Sequence, residues 1–185
     1  MSEIIRLYNI IENSTVNGPN NRFVIWTQGC PLGCAGCFNP LTHNINDGFD
    51  IDIEELATQI NQTSDIRGIT LTGGEPLLQA NMVGKLLCLI NKKLDVLLFS
   101  GYTVDEVMAD TAKKQILHQV DAALLGRYNQ NLPHPFYGKK LVLNGNRINK
   151  EELYPWLNTE VIIQGTNVKI TGLYKQYKDT QNEIC

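Results

Sequence analysis

Three cysteines lie close together near the amino terminus and could bind a metal. Cys30, Cys34 and Cys37 have the spacing C-x3-C-x2-C, directly after a short apolar segment. Three thiolates on one short loop can occupy three corners of a zinc site or an iron–sulfur cluster. Three glycines in the same loop allow the backbone to bend tightly around the sulfurs. Residues 29–40 are therefore predicted to form a metal-binding loop.

The fourth ligand decides which metal this loop would bind. The other cysteines are Cys88, which is predicted to be a buried thiol within a helix, and Cys185, the last residue. A structural zinc site needs four protein ligands, and His43 is a candidate for the fourth. An iron–sulfur cluster could instead leave one iron open to a small molecule. The spacing allows both alternatives, and we favour iron because the loop follows a predicted buried strand.

A second segment whose residues could bind a ligand is Thr72–Pro76, with the sequence T-G-G-E-P. Its two glycines would let the backbone approach a ligand closely, and Glu75 could accept hydrogen bonds from an ammonium group. Pro76 is well suited to begin a helix. Alone, this segment is more typical of an ordinary connection between a strand and a helix.

The elements around these motifs alternate between strands and helices. Strands are predicted at Arg22–Gln28, Gly68–Thr72, Asp95–Ser100, Val120–Leu125 and Lys140–Leu143, and a hairpin is predicted at Glu160–Ile163 and Val168–Thr171. Helices are predicted at Asp52–Gln62, Leu77–Lys93, Val104–Gln119 and Asn149–Leu157. This alternation predicts an α/β fold with a parallel sheet and right-handed crossovers. Ligands bind such sheets at the carboxyl ends of the strands, where we expect both motifs.

The length and charge of the chain limit the classes of function. Its 185 residues fit one domain, residues 1–185, with a hairpin at 160–172 and a flexible tail at 173–185. The 16 Lys and Arg residues against 19 Asp and Glu residues give a net charge of −3, which argues against binding to nucleic acid or anionic membranes. Because the sequence contains neither a membrane-span-length apolar segment nor a leader, we expect a cytoplasmic protein.

The cysteine loop and the Thr72–Pro76 segment together resemble the radical S-adenosylmethionine (SAM) enzymes. The resemblance extends over residues 14–172 and is strongest to the activating enzymes of glycyl-radical enzymes, in particular the anaerobic ribonucleotide reductase activating group. Further matching segments are Val16–Arg22, Gly29–Pro40, Ser100–Tyr102, Val120–Ala122, Asn144–Asn146 and the C-terminal hairpin. The resemblance implies an open, partial (β/α)5-6 barrel, shorter than the full eight-unit barrel of about 250 residues.

The resemblance also implies roles for individual residues. Cys30, Cys34 and Cys37 would bind a 4Fe-4S cluster, and SAM would chelate its fourth iron. The residues expected to contact SAM are Phe38, Asn39, Thr72, Gly73, Gly74, Glu75, Ser100, Gly101, Tyr102, Asp121 and Asn144. No acid–base residue is assigned as catalytic, since the cofactors carry the chemistry. A flavodoxin or ferredoxin would donate the electron.

The sequence departs from the family pattern mainly on the side expected to face the substrate. The residues that we place there are Asn20, Arg22, His43 and Arg127. Within the cysteine loop, Gly36 occupies a position that is often aromatic in radical SAM enzymes, so we expect Phe38 to supply the aromatic face toward adenine. The cluster and SAM motifs are otherwise intact, which leaves the identity of the substrate as the open question.

Three functional hypotheses follow. The first is reductive cleavage of SAM to a 5′-deoxyadenosyl radical that abstracts hydrogen from a polypeptide, as in activation of a glycyl-radical enzyme. The second is a radical SAM maturase that modifies a ribosomally synthesised precursor peptide, together with a peptide-recognition partner. The third is a non-catalytic zinc or iron–sulfur binding module. An open barrel would suit a polypeptide substrate better than a small metabolite.

Overall fold

The computed structural model describes residues 3–132, 136–153, 159–164 and 167–172. Its strands are β1 (Ile4–Ser14), β2 (Arg22–Thr27), β3 (Phe49–Asp52), β4 (Gly68–Gly73), β5 (Asp95–Ser100), β6 (Ala122–Leu125), β7 (Lys140–Leu143), β8 (Thr159–Gln164) and β9 (Asn167–Gly172). Its α-helices are α1 (Ile53–Gln62), α2 (Ala80–Leu89), α3 (Val104–Met108) and α4 (Thr111–Gln119). Short 3₁₀ turns lie at Pro40–Thr42, Pro76–Gln79 and Lys150–Leu153. None of the helices in these ranges is long and apolar enough to cross a membrane.

The main sheet is mixed, with the strand order β3-β1-β2-β4-β5-β6-β7. Strands β2, β4, β5 and β6 pair in parallel. Strands β1 and β3 extend one side of this parallel portion by antiparallel pairing, and β7 does so on the other. The predicted α/β architecture is confirmed, but the parallel portion holds fewer strands than five or six. Within the described residues the sheet is open, with β3 and β7 at its edges.

Apolar residues explain why the central strands are buried on both faces. Every residue of β2 and of β6 is buried, as expected for parallel strands that helices cover. Helix α1 packs Ile53, Leu56 and Ile60 into the same core. It begins where the Asp52 carboxylate accepts a hydrogen bond from the amide of Glu54, which satisfies one of the unpaired amides of the first turn.

Several predicted boundaries are confirmed and others shift. The strands at Asp95–Ser100 and Lys140–Leu143 agree residue for residue. The predicted helix at Leu77–Lys93 begins as a 3₁₀ turn and ends at Leu89, and the predicted segment Val104–Gln119 forms two helices. Only a 3₁₀ turn is described within Asn149–Leu157, and residues 154–157 of that segment lie outside the described residues.

The sequence analysis missed β1 and β3 altogether. Strand β1 is eleven residues long, yet its buried positions do not alternate regularly, because register shifts interrupt its pairing with β2. Strand β3 has only four residues, two of which are acidic and polar. The alternation in β1 is broken, and the F-D-I-D alternation of β3 is only four residues long and runs directly into α1.

The prediction for Cys88 was wrong. Its side chain is exposed on the surface of α2, where it borders a shallow groove between α2 and α4. The leucines at 86 and 87 take the buried positions of the helix, and helical geometry turns the next residue outward. The predicted tail at 173–185, which includes Cys185, lies outside the described residues.

Strands β8 and β9 form the predicted hairpin as a separate two-stranded sheet. Ile162 packs against a small cluster formed by Ile11, Val24 and Trp26 of the main sheet. Thr171 accepts a hydrogen bond of 2.9 Å from the side chain of Asn17. These contacts attach the hairpin to the part of the main sheet formed by β1 and β2.

A buried ion pair joins the amino ends of β2, β4 and β5. The guanidinium of Arg22, fully inaccessible to solvent, lies 2.6 Å from a carboxylate oxygen of Asp95. It also donates to the hydroxyl of Thr70 at 2.8 Å and to the carbonyl of Ile69 at 2.6 Å. The second oxygen of Asp95 pairs with Arg67 at 2.9 Å. Arg22 thus has partners for most of its donors, which is what makes burial of its charge tolerable.

We expect Arg22→Met to lower the free energy of unfolding by about 3 kcal/mol, because the buried Asp95 carboxylate loses one of its two cations. Urea denaturation at neutral pH measures this change. Arg6→Met is the matched control, since Arg6 pairs with Asp50 on the surface and such pairs contribute little. Equal losses in the two variants would show that the buried pair contributes no more to the free energy of unfolding than the surface pair does.

Candidate active site

The cysteine loop begins where β2 ends, at the carboxyl edge of the parallel strands. The amide of Gly29 donates to the carbonyl of Thr42 at 2.8 Å, and the amide of Cys30 donates to the carbonyl of His43 at 3.1 Å. These two bonds close the base of the loop. Between them and Asn39 the backbone is irregular, as expected for a segment whose conformation is set by tight bends rather than by a sheet.

The loop extends over the ends of the neighbouring strands. Leu32 packs directly against Gly101, which follows β5, and Gly36 lies beside the side chain of Gln130, which follows β6. The ring of Phe38 meets the edge of Tyr128 with 5.3 Å between the ring centroids. The cysteine loop therefore lies over the carboxyl ends of the strands, as the sequence predicts.

The three thiols of the loop are half-buried and free. Burial raises the pKa values of the Cys30 and Cys37 thiols, and backbone amides act in the opposite direction. Burial thus favours the neutral form of these two thiols, and binding of a metal would displace their protons. Gly33 and Gly36 have φ values of 57° and 64°, a region that favours glycine.

A metal site is not already assembled in this conformation. Among the described residues, no three His, Cys, Asp or Glu side chains are gathered closely enough to hold an ion. The donor set nevertheless fits an iron–sulfur cluster, because three thiols share one bent loop at an accessible edge. In this arrangement the loop would supply the ligands, and the bound group would order them.

The two glycines of the T-G-G-E-P segment allow β4 to end directly beside the cysteine loop. Gly73 has a φ of 107°, and a Cβ atom there would collide with the backbone of Thr27. A Cβ atom on Gly74 would collide with the carbonyl of Gly29. Backbone hydrogen bonds of 2.9 Å run from Gly74 to Thr27 and from Glu75 to Gly29. The glycines are thus needed for backbone packing, besides any contact with a ligand.

Glu75 connects the T-G-G-E-P segment to the Ser100–Tyr102 segment. Its fully buried carboxylate accepts hydrogen bonds from the amide of Leu77 at 2.9 Å, the hydroxyl of Ser100 at 2.8 Å and the amide of Gly101 at 2.7 Å. Burial raises the pKa of this carboxyl group, although the three donors favour its ionised form. Contact between Glu75 and a ligand's ammonium stays a prediction.

Arg127 lies at the same edge and braces the Ser100–Tyr102 segment. Its guanidinium forms two hydrogen bonds with the carboxylate of Glu106, at 2.6 and 2.9 Å, and donates to the carbonyl of Gly101. It also lies 5.8 Å from the ring centroid of Tyr102, on which Lys113 lies at 4.9 Å. The bonds from Arg127 lower the pKa of Glu106 to about 2. Arg127 therefore lies at the edge where we predict the substrate to bind. Its guanidinium is already paired with the carboxylate of Glu106.

Other predicted site residues lie at the opposite edge of the sheet. Asn20 and Arg22 precede or begin β2, and Asp121 precedes β6, where its carboxylate accepts from the amide of Val96 at 2.8 Å. Asn144 follows the antiparallel strand β7, which returns it to this same edge. There its side-chain amide donates to the carbonyls that end α4. The structure does not bring these four residues together with the cysteine loop.

His43 and Asn39 flank the end of the cysteine loop. The amide of Asn39 donates to the sulfur of Cys37 at 3.4 Å, and its side chain reaches the carbonyl of Gly73 at 3.5 Å. The Nε2 atom of His43 is buried and has no hydrogen-bond partner among the described residues. His43 is thus adjacent to the predicted site, although it is not gathered with the thiols as a metal ligand.

One residue that the sequence analysis missed is Lys139. Its half-buried ammonium donates to the carbonyls of Ser100, at 3.4 Å, and of Gly126, which end β5 and β6. It interacts electrostatically with Glu75, Cys34 and Cys37. No motif marks this lysine, because it lies in a polar segment just before β7 and reaches the site only through the antiparallel return of the chain.

The buried carboxyl of Glu75 predicts a pH dependence of stability. Because burial raises its pKa in the folded state above the ordinary value of 4.5, the folded protein binds the proton more tightly than the unfolded chain. The associated stability is present below the unfolded pKa and is lost as the pH rises through the folded pKa. We expect the free energy of unfolding of the wild type, relative to Glu75→Gln, to fall as the pH rises above about 4.5. Urea denaturation over a pH series measures it.

Glu106→Gln provides a control of opposite sign. The pKa of Glu106 is lowered to about 2, so its stabilising effect is present above the ordinary carboxyl pKa and is lost as the pH falls toward 2. A difference between wild type and Glu75→Gln that stays constant across the pH series would contradict a raised pKa at Glu75.

Comparison with known proteins identifies the family. A family model described as a 4Fe-4S single cluster domain matches residues 16–147. The match includes the cysteine loop and the segments around it, and it ends before the β8–β9 hairpin. It therefore favours iron–sulfur over zinc at the loop, while the resemblance proposed for the hairpin stays a prediction.

Similar curated proteins are activating enzymes. The chain is 34% identical over 126 residues to the anaerobic ribonucleoside-triphosphate reductase-activating protein of Enterobacteria phage T4, which covers 64% of this chain and 78% of the relative. Its counterpart in Pasteurella multocida is 32% identical over 129 residues, with 65% and 82% covered. The pyruvate formate-lyase-activating enzyme of Listeria monocytogenes is 36% identical over 89 residues, with 45% and 36% covered.

The matched family, the named relatives and the contact between the cysteine loop and the Gly73–Glu75 turn agree with one another. The chain belongs to the 4Fe-4S single cluster domain family and is a radical SAM enzyme of the activating-enzyme group, with a 4Fe-4S cluster and SAM as its cofactors.

Proposed function

We propose that this protein activates a glycyl-radical enzyme, most like an anaerobic ribonucleotide reductase, by abstracting a hydrogen atom from its polypeptide chain. When bound, the reduced cluster would supply one electron to SAM, whose 5′ C–S bond would break to give methionine and a 5′-deoxyadenosyl radical. The observation that carries the proposal is the direct packing of the cysteine loop against Gly74 and Gly101. This packing places the two segments expected to bind SAM beside the segment expected to bind the cluster.

We assign cluster binding to the thiolates of Cys30, Cys34 and Cys37. Three protein ligands leave one iron of a 4Fe-4S cluster for SAM. The accessible position of the loop supports this assignment, since both SAM and an external electron donor must reach it. A flavodoxin or ferredoxin is the expected donor, and a cytoplasmic location stays a prediction from the sequence.

The surrounding residues would bind and orient SAM. The ring of Phe38 is 45% exposed and could stack on adenine, while its edge contact with Tyr128 holds the ring in place. The residues Gly73 and Gly74 are partly exposed, and the side chain of Asn39 lies at 3.5 Å from the Gly73 carbonyl. Thr72 and the Ser100–Tyr102 segment complete the proposed set.

A polypeptide substrate suits the exposed surroundings of the loop. Apolar side chains at Phe38, Leu41 and Ile45 are 45%, 69% and 58% exposed on or just after the loop. Such side chains are typical of surfaces that bind other proteins. The open sheet, which we propose to be a partial barrel, would admit a segment of a partner chain, with Arg127 at the entrance. The named relatives favour this function over a precursor-peptide maturase or a non-catalytic metal module.

The ligand assignment predicts the effects of single substitutions. Cys30→Ala, Cys34→Ala and Cys37→Ala should each abolish assembly of the 4Fe-4S cluster, because each removes one thiolate. Cys88→Ala is the matched control and should assemble the cluster normally, since Cys88 lies exposed on α2. Anaerobic reconstitution followed by iron and sulfide analysis measures this. Loss of the cluster in Cys88→Ala would contradict the assignment.

The exposed ring of Phe38 predicts a loss of SAM affinity. We expect Phe38→Leu to weaken binding of SAM to the reconstituted protein by about tenfold, because stacking on a base contributes about 1–3 kcal/mol. Equilibrium dialysis with labelled SAM measures the affinity. Phe49→Leu is the control, since Phe49 is 43% exposed on the edge strand β3 and should leave the affinity unchanged. Equal affinities in both variants would argue against Phe38 as the adenine contact.

The proposed function as a whole is tested with the glycyl-radical enzymes encoded in the same genome. Under anaerobic conditions with reductant and SAM, we expect release of 5′-deoxyadenosine and a glycyl-radical doublet in the electron paramagnetic resonance spectrum of the partner. Cleavage of SAM without a radical on any such partner would overturn the proposed substrate. Zinc binding without SAM cleavage would overturn the assigned chemistry.

A further inference from the structure

Lys139 carries a positive charge at the predicted site that the proposed function does not use. Its ammonium donates to the carbonyls of Ser100 and Gly126 at the carboxyl ends of β5 and β6. Two carbonyl dipoles hold the cation in place without neutralising it. The side chain is half-buried, so water screens its charge less than that of a surface lysine.

The other cations of this edge differ from Lys139 because they are paired. Arg127 binds the carboxylate of Glu106, and Lys113 binds that of Asp110 at 2.5 Å. In the described part of the chain, no carboxylate lies within ion-pair distance of Lys139. The titratable groups that interact with it electrostatically are Glu75, Arg127 and the thiols of Cys34 and Cys37. The Glu75 carboxylate accepts its described hydrogen bonds from three other donors.

We propose that Lys139 is a positioning residue that stabilises the reduced state of the cluster held by the cysteine loop. This inference rests on the assignment of Cys30, Cys34 and Cys37 as cluster ligands. A cluster bound by three thiolates is anionic, and reduction adds a further negative charge. A fixed cation nearby stabilises the reduced form more than the oxidised form, so it raises the reduction potential.

The charge of Lys139 distinguishes this role from a purely structural one. A lysine that served only to join β5 to β6 would need hydrogen-bond donors and no charge. Glutamine provides an N–H donor without the charge, and arginine provides donors with it. The variants Lys139→Gln and Lys139→Arg therefore separate the charge from the hydrogen bonds.

The test is a redox titration of the reconstituted protein without SAM, followed by electron paramagnetic resonance. We expect Lys139→Gln to lower the equilibrium constant for reduction on the order of tenfold, which equals about 59 mV for one electron. Lys139→Arg should stay close to the wild type. Lys140→Gln is the matched control, because Lys140 is the exposed neighbour at the start of β7 and should leave the potential unchanged.

Each outcome of this experiment has a defined meaning. Equal potentials in Lys139→Gln and Lys140→Gln would overturn the inference. A normal potential combined with weaker SAM binding in Lys139→Gln would also overturn it and would assign the charge to the carboxylate of SAM. If Lys139→Gln fails to fold, a wild-type potential in Lys139→Met would have the same meaning. Failure of the wild type to assemble a cluster would instead overturn the ligand assignment in the proposed function.

Discussion

The site depends on the close approach of two backbone segments at the end of β2 and β4. The Glu75 amide donates to the Gly29 carbonyl at 2.9 Å, and a Cβ atom on Gly74 would occupy the space of that carbonyl. Because parallel strands end at the same edge, the cysteine loop and the T-G-G-E-P segment are already neighbours in the sheet. The glycine at position 74 reduces their separation to backbone contact, so that a single ligand could touch both.

Glu75 extends this arrangement to the next strand. A buried carboxylate is costly to desolvate unless donors surround it, and here the donors come from the Leu77 and Gly101 amides and the Ser100 hydroxyl. The cost of burial thus fixes the relative positions of β4 and β5 at their carboxyl ends. The segment Ser100–Tyr102 is held on its other side by Arg127, whose own orientation is set by Glu106. The predicted SAM-binding segments therefore depend on one buried carboxylate and on an exposed ion pair, besides the glycines of the motif.

Motifs and buried strands could be predicted from the sequence because their signals are local. The strand Asp95–Ser100 has a continuous apolar run, and the cysteine spacing is visible without a fold. The remainder depends on pairing between distant parts of the chain. The antiparallel return of β7 carries Asn144 to the amino edge of the sheet and places Lys139 at the carboxyl edge. A prediction that treats all strands as parallel reverses these two positions, and it also gives no reason for the burial of Arg22.

The net charge of −3 and the charge around the predicted site have different consequences. The net charge affects solubility, and because it is negative it disfavours long-range attraction to polyanions. Within the site, the relevant quantities are the few charges that water screens poorly. Arg127 and Lys113 are largely compensated by Glu106 and Asp110, whereas Lys139 is held by carbonyl dipoles alone in the described part of the chain. An anionic group beside the cysteine loop would thus experience the field of this lysine together with those of Glu75 and Arg127, which the overall composition of the chain does not reveal.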